Sequence, residues 1–237
     1  MAHTLADIQK PITVPVHDLG EISLVDFMGG DIDIVNAARA SFNSEEEEMD
    51  DRNKGLIKYL MNNRHGTPFE MVELKFRVKA PIFVFREWHR HRVASINEWS
   101  GRYSKLEPEF YIPQSEYFRR QTGKPGAYTF EQIEDEDLVE LARCQIEDHC
   151  RAGYELYESL LDRGIAKEQA RIHLPVNTYS VMIWKTNLRA VMNFLSLRNS
   201  EHAMREIRDY ARRMETFAWM VCPVAMEAFE RNGRVCP

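Results

Sequence analysis

The sequence predicts an α+β fold in which helices dominate and a single domain over residues 1–237 is built around a small mixed or antiparallel sheet. Three observations lead there. Residues 72–78 alternate, with Val72, Leu74, Phe76 and Val78 on one side and Glu73, Lys75 and Arg77 on the other, the period of a half-buried strand. Residues 131–162 place Leu138, Leu141, Ile146, Tyr154, Tyr157 and Leu161 at helical spacing. Residues 177–186 are rich in Tyr, Val, Ile, Trp and Thr and read as a second long strand.

The remaining elements follow in chain order. The apolar runs Ile12-Val14-Val16 and Ile22-Leu24, on either side of Gly20, read as edge strands or a hairpin. Asp31 is expected to cap a helix running through Ala37 and Ala38. Glu45–Glu48 form a solvated acidic run. Residues 50–63 are helical, with Leu56, Tyr59 and Leu60 on the apolar face, and His65-Gly66-Thr67-Pro68 ends that helix. Pro81 suits the first turn of a further helix whose core face is Ile82, Val84, Phe85 and Trp88. Residues 106–127 hold three prolines and two glycines and read as a long loop with a short strand at Phe110–Ile112. After the long helix, a short one near Lys167–His173 stops before Pro175. Helices over 188–197 and 203–221, and a short one after Pro223, complete the chain.

Composition narrows the class. Apolar residues make up 44% of the 237, which argues for a folded core and against disorder. The four cysteines, Cys144, Cys150, Cys222 and Cys236, form no Cys-x-x-Cys pair and no zinc ladder, and read as reduced thiols in a cytoplasmic protein. The N-terminus has no charged start followed by an apolar stretch, and no run of about 18 apolar residues occurs, so neither a leader nor a membrane span is expected.

Charge then becomes local information. The formal net charge is −6, yet Arg86, Arg90, Arg92, Arg102 and Lys105 crowd into residues 86–105, opposed only by Glu87 and Glu98. Like charges this close repel unless an anion neutralises them, and arginine's planar fork suits phosphate or carboxylate oxygens. A phosphate-bearing ligand is the simplest neutraliser. Trp88, Ile96 and Trp99 flank the charges, so part of the segment is expected to be buried. A second polar set lies far off in sequence: Arg171, Asn177, Asn187, Arg189, Asn193, Arg198 and His202. Arg189 and Asn193 share a helix face, while Leu188, Val191 and Leu195 share the core-facing one. A third piece is His65, Thr67 and Glu70 around Pro68. No Gly-x-Gly-x-x-Gly or Walker loop is present, so side chains must hold any nucleotide.

Other chemistries stay open on residue types alone. His89-x-His91 has a spacing used by metal hydrolases on strands, but the helical periodicity before it points the two rings apart, and no metal site is expected. Ser100 lacks a Gly-x-Ser-x-Gly setting, which weakens a hydrolase reading. Trp88, Trp99 and Tyr103 could stack bases in an RNA-binding protein, but the basic strip is short and the overall charge opposes it.

Arg90-His91-Arg92, followed after seven residues by Ser100, resembles the signature of the flavin-dependent thymidylate synthase family. The likeness extends through His65–Glu70, Lys79–Ile82, Asn97–Ser104, Ala170-Arg171 with Leu174-Pro175, and Asn193–Arg198, and covers roughly residues 20–230. It implies a thymidylate synthase-complementing-type fold and a homotetramer with sites at subunit interfaces. It also implies FAD as hydride carrier, NADPH or NADH as electron donor, 5,10-methylenetetrahydrofolate as carbon donor, and conversion of dUMP to dTMP without a cysteine nucleophile. No nucleic-acid or membrane partner is implied.

Carried over by position, the resemblance assigns Thr67, Arg90, His91, Arg92, Glu98, Asn187, Leu188, Arg189 and Asn193 to FAD. It assigns Glu87, Trp88, His89, Arg90, Glu98, Trp99, Ser100, Gly101, Arg102, Arg171 and Arg198 to the nucleotide. Arg198 matches the arginine that stabilises an ionised uracil ring, the role of a cation beside a developing anion. His65 is assigned to positioning flavin or folate. Two positions depart from the pattern: Glu87 stands in place of glutamine, and His89 where an aromatic is common. A carboxylate near a substrate phosphate repels it unless paired, and Arg86 and Arg90 are the partners expected from proximity in sequence.

Overall fold

The structure, a computed structural model, describes residues 11–237. The expectation of a chain start without a leader falls on residues 1–10, outside the described residues. Two compact units emerge. The first gathers the chain up to Ala80, then Val84–Glu98 and Ser180–Pro237; the second gathers Pro81–Phe83 and Trp99–Tyr179.

A five-stranded sheet organises the first unit, in the order β1-β2-β3-β7-β4. Its strands are β1 (Ile12–Val16), β2 (Gly20–Met28), β3 (Glu73–Pro81), β4 (Ser95–Glu98) and β7 (Tyr179–Asn187). β1 and β2 form the expected hairpin, β3 adds antiparallel to β2, and β4 pairs antiparallel with β7. The alternation in β3 decides its orientation: Leu74, Phe76 and Val78 are completely buried. The unit's helices are α1 (Asp31–Arg39), α2 (Asp51–Asn62), α6 (Leu188–Arg198), α7 (Arg205–Val221) and α8 (Pro223–Arg231); α7 packs on β1 and β2, α6 and α8 pack on α7, and α1 and α2 pack on α8. The short α3 (Ile82–Trp88) ends directly before the basic triplet.

Aromatic packing fixes that end of α3. Trp88 has no exposed surface, and its ring lies 4.7 Å from Phe194 of α6 and 5.7 Å from Trp184 of β7. Burying rings of this size dominates local energetics, so the turn that follows α3 is anchored rather than loose. The core face expected of α3 is correct for Val84, Phe85 and Trp88, whereas Ile82 is half-buried.

In the second unit, β5 (Arg119–Lys124) and β6 (Ala127–Gln132) form a two-stranded hairpin, exposed on both faces. It is followed by α4 (Glu136–Asp162) and the one-turn α5 (Lys167–Ala170). Leu106, Tyr157 and Ala170 form this unit's small core, with Trp99, Tyr154, Leu160, Leu161 and Leu174 packed against it. The Tyr157 hydroxyl accepts from the Leu106 amide at 3.1 Å, and the Tyr154 hydroxyl donates to the Leu106 carbonyl at 2.9 Å.

Several local expectations are corrected. Asp31 does not cap its own helix: Gly30 occupies that position, and the Asp31 carboxylate accepts from the amides of Val224 and Ala225 at the start of α8. Tyr59 is exposed and Leu56 only half-buried, because α2 buries the stripe Asn53, Ile57, Leu60 and Met61. Pro81 closes β3 rather than opening α3. Residues 119–132 are the hairpin rather than loop and early helix, so α4 starts at Glu136, where Asp135 accepts from the Leu138 amide at 3.0 Å. Leu138 and Leu141 are exposed, and α4 buries Val139, Cys150 and Tyr157 instead. Ser95–Glu98, for which the sequence predicted no element, is an edge strand.

Candidate active site

The basic triplet follows α3 because the helix stops at Trp88, and the amides of His89 and His91 hydrogen-bond back to the carbonyls of Phe85 and Trp88. That turn directs its three motif side chains differently. His91 is buried and edge-on to Phe194 at 4.7 Å, whereas Arg90 and Arg92 are exposed. Among the described residues neither Arg90 nor Arg92 has a carboxylate partner, so both charges are available to an anion.

A cleft of about 660 Å³ lies within the first unit. One wall is Arg90, His91, Arg92 and Val93; another is the start of α6, with Asn187, Arg189, Ala190 and Asn193; Glu70 and Cys236 complete it. Its size falls in the range of organic-ligand sites, about 300–1,000 Å³. Asn187 has a structural task here as well, since its side chain caps α6 by accepting from the Ala190 amide at 2.9 Å. Arg189 is held in place: it pairs with Glu70 at 2.6 Å and donates to the Pro237 carbonyl at 2.8 Å. The Glu70 carboxylate holds the Arg189 pKa above its usual value. Gly66 makes room for this, because a Cβ there would collide with the Arg189 guanidinium.

At the end of α6, Arg198 meets the turn after α3. Its Nε donates to His91 Nε2 at 3.0 Å, one terminal nitrogen donates to Glu87 Oε2 at 2.6 Å, and the other to the Glu87 carbonyl at 3.1 Å. Glu87 therefore pairs with Arg198 across the fold, and not with Arg86 or Arg90. Burial first, and then the Arg198 charge, push the His91 pKa down to about 4. The imidazole is neutral near pH 7 and accepts at Nε2. His89 turns elsewhere: it stacks on Phe85, with Nε2 3.8 Å from Glu98 Oε2, and Glu98 also accepts from the Ser180 hydroxyl at 2.8 Å.

Trp88 and Leu188 belong to the core with no exposed surface, and the Leu188 amide is already bonded to the Val72 carbonyl at 2.8 Å. Thr67 is exposed at the start of a 3-10 helix, Thr67–Met71, and exposed His65 stands edge-on to Tyr59 at 5.8 Å.

The second unit gathers its own polar cluster. Ser100 Oγ accepts from the Arg102 amide at 3.3 Å, and Trp99 Nε1 donates to Ser104 Oγ. Arg102 Nε donates to Glu168 at 2.9 Å. Gly101 is buried, and a Cβ there would lie 3.2 Å from the Arg171 side chain, so the absence of a side chain lets Arg171 pass.

Sequence reasoning missed Val93, Ala190 and Cys236 as cleft residues, and missed the role of Gly66 beside Arg189. Val93 adjoins the motif and Ala190 sits on the α6 face of Arg189 and Asn193, so position alone pointed to both. Cys236 carried no signal.

The cleft's chemistry suits a phosphate-bearing cofactor. Two guanidiniums, which among the described residues have no carboxylate partner, stand beside two asparagine amides that can bond a heterocycle's polar edge. Comparisons with known proteins agree. A family profile described as "Thymidylate synthase complementing protein" matches residues 23–224. A flavin-dependent thymidylate synthase of Thermus thermophilus is 44% identical over 225 residues, covering 95% of this chain and 81% of that protein. One of Thermotoga neapolitana is 44% identical over 218 residues, covering 91% and 93%. The solved UMP/dUMP methylase PolB of Streptomyces cacaoi, bound with 5-Br dUMP, superposes with a TM-score of 0.83 at 40% identity, covering 94% of this chain and all of that one.

Proposed function

The chain belongs to the thymidylate synthase complementing family, and from that premise we propose how its residues divide the work of a flavin-dependent thymidylate synthase. The reaction is the reductive methylation of dUMP to dTMP, with 5,10-methylenetetrahydrofolate as carbon donor and NADPH or NADH as electron donor. FAD, when bound, supplies hydride transfer.

The residues present fit FAD. Arg90 and Arg92 would take its phosphates, Asn187 and Asn193 its polar edges, and His91, Val93 and Ala190 the surfaces between. Thr67, Glu98 and Arg189 complete the assigned cofactor set. Leu188 supports it from the core beneath, holding the first turn of α6 to β3's approach through Val72. Trp88 likewise acts by anchoring the turn that carries the motif.

In the first unit we assign the nucleotide to Glu87, His89, Arg90, Glu98 and Arg198; the family resemblance alone adds Trp99, Ser100, Gly101, Arg102 and Arg171. Arg198 carries the chemistry. Three of its five N–H donors are committed to His91 and Glu87, and two remain for a pyrimidine oxygen or an ionised ring nitrogen. A fixed cation at that place favours the anionic ring and makes its carbon nucleophilic without an enzyme thiol. Among the cysteines, burial raises the pKa of Cys150, Cys222 and Cys236, and Cys144 is raised by its contact with Glu140, so none is set up as a thiolate.

The functional unit is one domain over residues 1–237, a reading supported by the unbroken family match across both compact units. We assign it to the cytoplasm as a homotetramer with interfacial sites, with dUMP as its partner and neither nucleic acid nor membrane. Among the described residues no helix is long and apolar enough to cross a membrane.

The observation that carries the assignment is a cleft walled by Arg90 and Arg92, which among the described residues have no carboxylate partner, and by His91, on which Arg198 is clamped. Purified protein supplied with dUMP, methylenetetrahydrofolate and NADPH is expected to form dTMP only when FAD is present. Product formation undiminished after complete removal of flavin would refute the reading.

A further inference from the structure

Glu87 stands in the last turn of α3, where a carboxylate faces the negative end of the helix dipole. An acidic residue at that end is unfavourable unless something compensates it. Arg198 does so twice, pairing with the carboxylate at 2.6 Å and donating to the same residue's main-chain carbonyl at 3.1 Å. That carbonyl is one of the last four of the helix and otherwise takes only a long bond from the Arg90 amide at 3.4 Å. His91 closes the third side of the guanidinium at 3.0 Å. The Arg198 side chain is only 17% exposed, and among the described residues Glu87 is the only carboxylate paired with it.

The clamp leaves Arg198 little freedom. A long, flexible side chain is tied through all three of its nitrogens, by one ion pair and two charge-assisted bonds to neutral acceptors, before any ligand arrives. Its position is therefore set by α3 and by the turn after it. We infer that Glu87 is a positioning residue that acts through Arg198: it fixes the guanidinium so that two N–H donors are held ready, and it does not itself need to touch the nucleotide. This rests on the reading of Arg198 as the group that meets the pyrimidine, and it changes the task of Glu87 from a substrate contact to a support.

Two features of the geometry separate support from contact. The Glu87 carboxylate is engaged by Arg198 through Oε2, and a nucleotide phosphate brought against it would be repelled. The main-chain bond from Arg198 also survives any change of side chain, so only part of the clamp is lost when Glu87 is altered.

The test compares Glu87→Ala, Glu87→Gln, Arg198→Ala and the Glu87→Ala/Arg198→Ala double variant, all as FAD-loaded enzyme. Steady-state dTMP formation gives kcat and the KM for dUMP. Misplacing a reacting group by a fraction of an ångström to an ångström lowers turnover by roughly ten- to a hundredfold. Glu87→Ala is expected to show a loss of that order in kcat, with a smaller change in KM. Glu87→Gln, whose amide oxygen still accepts from the guanidinium, is expected to recover a substantial part of it. The double variant is expected to be no worse than Arg198→Ala alone, because Glu87 has nothing left to position. If Glu87→Ala does not fold, the comparison of Glu87→Gln with Glu87→Gln/Arg198→Ala reads the same non-additivity.

The inference is overturned by a Glu87 loss that appears only in KM, by a double variant whose loss is the product of the two single losses, or by Glu87→Gln as impaired as Glu87→Ala. Full dTMP formation by Arg198→Ala would instead overturn the reading on which the inference rests. Loss in Arg198→Ala with Glu87→Ala unchanged would leave that reading standing and refute only the positioning role.

Discussion

The motif histidine shows how burial sets a side chain's chemistry. His91 is buried against Phe194, and with Arg198 alongside its pKa falls to about 4, from 6.5 for an unperturbed imidazole. The folded state thus resists a proton that the unfolded chain takes up readily. Between the two values the unfolded chain binds more protons, so stability is complete above about pH 6.5 and declines as pH falls through that window towards about 4. His91→Gln, which keeps an acceptor for Arg198 but does not titrate, is expected to flatten the pH dependence of the urea midpoint in this window. An unchanged slope would show that other groups govern it. The partner of Glu87 was beyond reach of the sequence for a related reason. Arg86 and Arg90 are its neighbours along the chain, but Arg198 lies 111 positions away and reaches Glu87 only because α6 packs Phe194 against Trp88.

β3 and α6 were legible because each buries one regular face, whereas α2 and α4 carry exposed apolar residues beside their buried stripes and their faces were misread. The alternation of β3 and the 188/191/195 stripe of α6 both appear as read, because the core enforces their periodicity. The β5–β6 hairpin was not legible, since neither face is buried and no alternation is imposed on its sequence. Its one local signal was Pro125-Gly126, where Gly126 adopts φ +85° in the turn. The junction of α1 and α8 was hidden in the same way as the Glu87 partner. Asp31 reaches amides nearly two hundred residues on and serves as the N-terminal cap of α8, while burial raises its pKa against the lowering effect of those two amides. Asp31→Ala leaves both amides without an acceptor and is expected to lower unfolding free energy by about 1–2 kcal/mol in denaturant titration. Asp31→Asn, which keeps one acceptor oxygen, is expected to lose less. Equal midpoints for wild type and Asp31→Ala would show that the cap contributes nothing.

The whole molecule sets a net charge of −6 against a local surplus of guanidinium at the cleft. Anions are repelled in general and attracted at one place, which favours selective over indiscriminate binding. Because Arg90 and Arg92 are exposed, their attraction is screened within a Debye length of about 10 Å at 0.1 M salt. FAD affinity is accordingly expected to fall as salt rises, and Arg92→Ala to weaken binding at low salt while reducing that salt dependence. Identical salt profiles for the two proteins would remove Arg92 from the phosphate contacts.

Two indoles, Trp88 and Trp184, lie in the aromatic cluster directly behind His91, packed with Phe194 and sealed from water. Indole emission overlaps the absorption of an isoalloxazine, so a flavin bound at the motif as proposed would lie close enough to quench both. A fall in tryptophan emission as FAD is added is therefore the expected optical gauge of occupancy, with no added dye and no altered residue.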